Sequence, residues 1–355
     1  MNSRKTALSF AAAGTAAGVI GLVVLATPAG AGEAPPALPP VSASDLVASV
    51  LDTEALPALA GSVAVENNLG LPIPGMPAGG DGDALQVWSD GTGKGRLAVA
   101  GRGGETTIVN DGATVWVWNS SERSVTKVPH KEGSAETPLE GKFADPATAA
   151  TELVTAMQAD STVAVDGTAR VAERPVYQLV LTPKPTEKTL LREIRVSVDS
   201  ELRIPLQLEV LANGQADPAI RIGFTELSTE QQDPKLFQFT PPEGATVNEQ
   251  DLPDEADGKK VDDWLSQADF KTVGRGWDIV ATGKVPADAL AAGEGTSGQD
   301  PFALLGTFGK KVHGDFGTGY VISASVGTAL ITEDGRVAIG AVPAQVVTEA
   351  IKTVK

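Results

Sequence analysis

The chain has 355 residues, 42% hydrophobic and 21% charged, with 39 Gly, 24 Pro, no Cys and a formal net charge of −17. That length and apolar share suit a sizeable core, on the scale of two domains, and exclude global disorder. The missing cysteines exclude disulfides, thiolate metal sites and thiol nucleophiles, and the acidity speaks against coating nucleic acid or an anionic membrane.

Residues 1–31 read as an export signal. Arg4 and Lys5 form a positive start, the stretch from Ala7 to Ala26 is uncharged and mostly apolar, and Ala29-Gly30-Ala31 gives a small-x-small cleavage pattern. Cleavage is expected after Ala31, placing the body outside the cytoplasm, secreted or in the cell envelope. A retained anchor is the competing reading, because the apolar stretch nears the ~20 residues that span a bilayer. Residues 32–41 form a proline-rich, extended lead.

The body opens with "SASDLVASVLDTE", a helix that Ser42 or Ser44 can cap, with Leu46, Val47, Val50 and Leu51 at helical spacing. Strand patterns follow from about 61 to 128. "ALQVWSDGTGKGRLAVAG" reads as two strands about a Gly-rich turn, and "ETTIVNDGATVWVWN" as two strands about Asn110-Asp111-Gly112. Within "TVWVWN", Trp116 and Trp118 share one face and the interleaved valines the other. Two large apolar rings in tandem are expected to lie against a core or a cavity.

"DPATAATELVTAMQADS" is an amphipathic helix with Asp145 placed to cap it and Pro146 near its start. "STVAVDGTARVAERPVYQLVLTP" then alternates around Asp166-Gly167. Three further strands turn at Asp199-Ser200 and Asn213-Gly214, with Ile194, Val196 and Val198, then Leu206, Leu208 and Val210, then Ile220, Ile222 and Phe224 each sharing a face. Their intervening residues are mostly polar, which marks an antiparallel sheet covered on one side. "LFQFTPPEGATV" closes the domain, with Phe237 and Phe239 on one face. The expected division is a domain over 42–247, an acidic linker over 248–263, and a small C-terminal α+β unit over 264–355. That unit ends in two strands about Asp334-Gly335 and a helix beginning near Pro343.

Catalytic patterns are scarce. His130 and His313 stand alone, without a neighbouring histidine or cysteine, so no metal site is expected. "GTGKG" and "GRGGETT" lack the terminal Gly-Lys-Ser/Thr of a phosphate loop and fit hairpin turns. "DGDA", "NDG" and "EDG" lack the ligand spacing of a calcium loop. No catalytic residue and no cofactor are assigned, and the weight moves from enzyme to binding or structural module.

The succession "LQVWSDGTGKGRLAVAG", "DGATVWVWNSSERSVTKV", "PATAATELVTAM", "GTARVAERPVYQLVLTPK", "REIRVSVDSELRIPLQLEVLANG" and "LFQFTPPEGATV" resembles the LolA-like family, which comprises lipoprotein carriers and sigma-E regulatory proteins of the RseB type. The actinobacterial branch is nearest in style, and the resemblance covers about 45–247. It implies an α+β fold: a curved antiparallel sheet, an incomplete β-barrel, closed by helices over an apolar cavity. It would line that cavity with Trp88, Trp116, Trp118, Leu179, Leu181, Val196, Val198, Leu206, Leu208 and Ile222. The carriers' latching arginine has Arg96 and Arg102 as candidates. Implied partners are lipid or lipoprotein acyl chains, the function being non-catalytic binding of an apolar ligand. The C-terminal unit favours the alternative of an envelope-stress regulator that binds a membrane protein such as an anti-sigma factor. A plain reading stands beside both: an exported domain whose cavity is filled by its own side chains.

Overall fold

The computed structural model describes residues 34–53, 56–69, 84–101, 104–129, 151, 154–249, 271–284 and 309–354. The first helix, α1 (Ala43–Leu51), begins where its sequence places it: Ser42 is the N-cap, and its Oγ accepts the Asp45 N–H at 3.1 Å. The export segment and the cap of the second expected helix lie outside the described residues. Val154 to Met157 are helical, so the body of that helix is seen.

Twelve strands make one sheet: β1 (Ala58–Asn67), β2 (Ala84–Asp90), β3 (Gly95–Gly101), β4 (Gly104–Asn110), β5 (Thr114–Asn119), β6 (Ser124–Pro129), β7 (Ser161–Val171), β8 (Arg174–Pro183), β9 (Leu191–Asp199), β10 (Pro205–Ala212), β11 (Ile220–Ser228) and β12 (Thr246–Glu249). Their spatial order is β12-β6-β5-β4-β3-β2-β1-β11-β10-β9-β8-β7. Two antiparallel meanders, β1–β6 and β7–β11, are therefore sewn together by the pairing of β1 with β11. β12 pairs in parallel with β6. Among the described residues the sheet stays open, with β12 and β7 as its edges.

The expected reversal at Asp166-Gly167 is corrected. β7 runs through both residues with a bulge between Val165 and Thr168, and the chain reverses at Ala172-Glu173 instead. Those two residues take φ of 47° and 63°, the geometry of a tight two-residue hairpin. Gly167, at φ 88°, supplies the bulge's special conformation rather than a turn. β12 also carries this sheet two residues past the expected boundary at 247.

A second, six-stranded sheet holds β13 (Lys271–Val273), β14 (Val280–Lys284), β15 (Lys310–Gly314), β16 (Gly317–Ser323), β17 (Thr328–Thr332) and β18 (Arg336–Gly340), in the order β13-β14-β18-β17-β16-β15. The terminal helix α2 (Ala344–Ala350) packs Val347 and Ala350 onto Val280, Leu330 and Ala338 of that sheet. The two sheets touch directly. The Leu190 N–H donates to Ala341 O at 2.9 Å, Trp277 Nε1 donates to Ser161 Oγ at 2.7 Å, and Ala324 and Val326 pack on Leu69, Ala212 and Ala219. No helix among the described residues is long and apolar enough to cross a membrane.

Candidate functional site

Strand register decides which residues can share a site, since cross-strand partners point to the same side. Val198 opposes Tyr177, and Val196 opposes both Leu179 and Leu208. Leu208 opposes Ile222, which opposes Val65. On the same side, Val63 leads through Leu85 to Val99, and Gly61 through Val87 to Leu97, Ile108 and Val117. One continuous apolar field therefore runs from β7 to β5.

Helix α1 covers only one end of this field. Leu46, wholly buried, packs with Val163, Tyr177, Leu179 and Val198, and Val154 and Met157 of the second helix join the same cluster. Tyr177 ties the preceding segment down by donating its hydroxyl to Pro39 O at 2.9 Å. Beyond the helix, burial loosens. Val63 and Val65 are buried, and Val87 and Phe224 pack against the cluster of Leu59 and Leu206, but Val210, Ile222, Leu97, Val99, Ile108 and Val117 keep part of their surface accessible, and Leu208 is 37% exposed. Large apolar side chains left half-open on a shared face are an unusual arrangement for a folded domain.

The sequence-derived lining thus divides into distinct groups. Leu179, Leu181, Val196 and Val198 lie with the helix-covered cluster. Leu206, 2% exposed, belongs to a separate packed cluster with Leu59, Val171, Val176 and Ile204. Leu208 and Ile222 stand on the open part of the field. Trp88, Trp116 and Trp118 are on the other side of the sheet: Trp116 opposes Val109 and Lys127, Trp118 opposes Thr107 and Val125, and Trp88 opposes Ala60 and Arg96. The tryptophans are therefore not brought together with the aliphatic lining. The residues that complete the open field, Leu97, Val99, Ile108 and Val117, carry an alternation signal in the sequence, but nothing local to them says that their side, rather than that of the tryptophans, is the open one.

What lies against Trp116 is the chain's own crossover from β11 to β12. Its 3₁₀ turn, Pro234–Phe237, packs on β2 and β3, Phe237 is 2% exposed, and the Phe239 ring sits 5.6 Å from that of Trp116. Val109 and Val125 beneath are fully buried. Lys127 Nζ lies 5.9 Å from the Trp116 ring centroid, and Trp116 Nε1 donates to Asp111 Oδ2 at 2.9 Å. Burial pushes the Asp111 carboxyl up, but hydrogen bonds from Trp116 and from the Ala113 and Thr114 N–H groups outweigh it and hold the carboxyl below its ordinary range.

Further along this side the surface turns polar. Arg221 donates to Glu209 at 2.8 Å and to Glu66 at 2.9 Å, a charge ladder across β10, β11 and β1. Arg96 lies over the Trp88 ring at 5.7 Å, on the face away from the open field, and so is not placed to latch a lid there; Arg102 lies outside the described residues. His313 Nδ1 meets Thr318 Oγ1 at 3.0 Å on an exposed edge, and His130 is outside the described residues. Among the described residues, no group of three or more His, Cys, Asp or Glu could hold a metal ion.

No protein-family model and no curated protein matches the chain. Solved structures do. A chain of the Pseudomonas aeruginosa MucA/MucB complex is similar over 87% of this chain and 96% of its own length, at 15% identity and a TM-score of 0.45. An uncharacterized conserved protein from Thermus thermophilus is similar over 59% and 99%, at 11% identity and 0.35. A LolA superfamily protein from Nitrosomonas europaea is similar over 56% and 99%, at 12% identity and 0.24. Each score lies below 0.5, so the functional reading rests on the residues of this chain.

Proposed function

We propose that the protein binds an apolar chain, the acyl part of a lipid or lipoprotein, along the open field of its large sheet, outside the cytoplasm and without chemistry. The observation that carries this is the one-sided exposure: Leu208 at 37% and a band of half-buried aliphatic neighbours on the helix-bearing side, with a packed or charged opposite side. An alkyl chain gains about 0.8 kcal/mol for each methylene it buries. Roughly ten methylenes then supply about 8 kcal/mol gross, within the range of about 4–15 kcal/mol that association costs. Affinity is therefore expected to depend steeply on chain length, by about fourfold per methylene.

The test is displacement of a fluorescent fatty acid by saturated fatty acids of increasing length. Leu208→Glu sets a carboxylate in the middle of the field at a position exposed enough to keep the fold, and should weaken uptake at least about tenfold, one factor of 1.4 kcal/mol. Unchanged uptake in this variant, with an unchanged melting curve, refutes the reading.

A second reading, an envelope regulator that grips a segment of a membrane protein, draws on the strand edges. Among the described residues, β15 ends the second sheet, and β12 and β7 end the first. An edge strand offers unpaired N–H and C=O groups to an added strand. Absence of fatty-acid binding, together with saturable binding of a purified membrane-protein ectodomain by the full chain, would decide for it.

A further inference from the structure

The pairing of β1 with β11 slips by one residue. Val63 faces Phe224, yet Ser62 faces Glu226, so Thr225 is the extra residue of a β-bulge. Strict alternation would have sent Glu226 and Ser228 to the apolar field and Leu227 away from it. The bulge reverses this: Leu227 packs beside Leu59 and Phe224, and Glu226 and Ser228 turn to the other side. Across β1 they meet β2, where Gln86 opposes Ser62 and Trp88 opposes Ala60.

These side chains surround a hollow of about 370 Å³. Its floor is the run Ala60, Gly61 and Ser62. Its walls, two strand spacings or roughly 10 Å apart, are Gln86 and Trp88 on one side and Glu226 and Ser228 on the other. Gly61 has no alternative here, because a Cβ would lie 2.5 Å from Glu226 O and 2.7 Å from the Phe224 ring. Among the described residues, the side chains of Gln86, Glu226 and Ser62 have no hydrogen-bond partner, and Gln86 and Glu226 are exposed. The hollow therefore presents an aromatic wall, an amide, a carboxylate and the Ser62 hydroxyl that are not consumed by the fold, beside the Ser228 hydroxyl, which accepts the Glu230 N–H at 3.3 Å and keeps its own proton to donate.

From this geometry we infer that the hollow is a binding site for a neutral polyhydroxylated ring, a saccharide unit, separate from the apolar field. A sugar ring offers C–H groups on its faces and hydroxyls on its rim. The indole of Trp88 takes the first, and the amide, the carboxylate and the Ser62 hydroxyl take the second, together supplying donors and acceptors. A cationic ligand is the obvious competitor for a tryptophan beside a carboxylate. The Arg96 guanidinium lies 5.7 Å from the Trp88 ring centroid, so a cationic ligand brought to this ring meets a like charge, whereas a neutral ring does not.

The experiment follows the indole N–H resonances of the five tryptophans in ¹⁵N-labelled full chain, with Trp88 assigned by Trp88→Phe. Millimolar glucose, N-acetylglucosamine and maltose are titrated in turn, with choline as the cationic control. At least one sugar should move the Trp88 signal saturably while choline does not. Gln86→Ala combined with Glu226→Gln, both at exposed positions, should weaken that response at least about tenfold, or about 1.4 kcal/mol. Leu208→Glu should leave it unchanged, which separates this site from the apolar field. No sugar response, a response to choline instead, or a sugar response that survives the double substitution overturns the inference.

Discussion

Replacing Asp199 with alanine is expected to remove about 3–5 kcal/mol of stability, the cost of breaking a buried ion pair from one side. Asp199 ends β9 and is wholly buried. Its carboxylate accepts from Arg174 Nε and, at 3.1 Å, from an Arg174 terminal nitrogen, and it also accepts the backbone N–H groups of Glu201 and Leu202 at 2.8 Å each. One side chain thus closes the β9–β10 turn and clamps it to the β7–β8 hairpin. Alanine leaves a half-buried guanidinium and two amides without that acceptor.

The same group sets an acid limit. Burial pushes the Asp199 carboxyl up, but the Arg174 hydrogen bond, the two backbone amides and the guanidinium charge outweigh it, so the folded-state value lies below the ordinary one. The stabilisation is then present in full above the unfolded value of about 3.9 and is lost as pH falls through the lowered folded value. Urea melts of wild type and Asp199→Ala should differ most at neutral pH and converge on strong acidification. A variant that melts within about 1 kcal/mol of wild type at neutral pH would show that the pair does not hold the turn.

How far the sequence reached is clearest at particular residues. Period-two alternation located nearly every strand of the large sheet, because one side of each strand must be apolar whatever it packs against. Turn chemistry was less reliable. Asp166-Gly167 has the residues of a tight hairpin, but a glycine at positive φ serves a bulge equally well, and the real reversal used Ala172 and Glu173, which carry no such signature.

Alternation also states which side chains share a side, but not which side is covered. In β5 both sides are apolar, and the choice was made by a crossover whose position depends on the parallel pairing of Val247 with Val125. That contact is far apart in sequence and leaves no local trace. The candidate lining is therefore split in space: Trp116 lies under the crossover, Trp88 beside a hollow on the same side, Leu179, Leu181, Val196 and Val198 by the helix, Leu206 in a packed cluster, and Leu208 and Ile222 on the open field. The bulge at Thr225 was legible in principle: the apolar spacing in "IRIGFTELS" shifts phase between Phe224 and Leu227.

Phe237→Ala should be the other large loss, about 3–5 kcal/mol, as expected for deleting a buried ring that its surroundings cannot collapse around. Phe237 is fixed by its turn: Asp233 caps it by accepting the Lys235 N–H at 2.9 Å, and Pro234 supplies the helical φ. The ring anchors the middle of the crossover. Beyond it the chain is held at the rim, where Arg123 donates to Glu243 O at 2.7 Å, the Thr246 N–H donates to Arg123 O at 2.9 Å, and Lys127 pairs with Glu249 at 2.8 Å. These rim contacts are exposed, and exposed pairs of this kind contribute little on their own. Loss of the anchor should therefore spread outward. Amide exchange at Val247–Glu249 should quicken more than at β9 or β10, and fluorescence should shift to the red as Trp116 loses Phe239. Phe237→Leu, which keeps most of the volume, should recover stability to within about 1.5 kcal/mol. If alanine loosens β9 and β10 as much as β12, the crossover is not a separate strap, and the tryptophan side owes its cover to packing elsewhere.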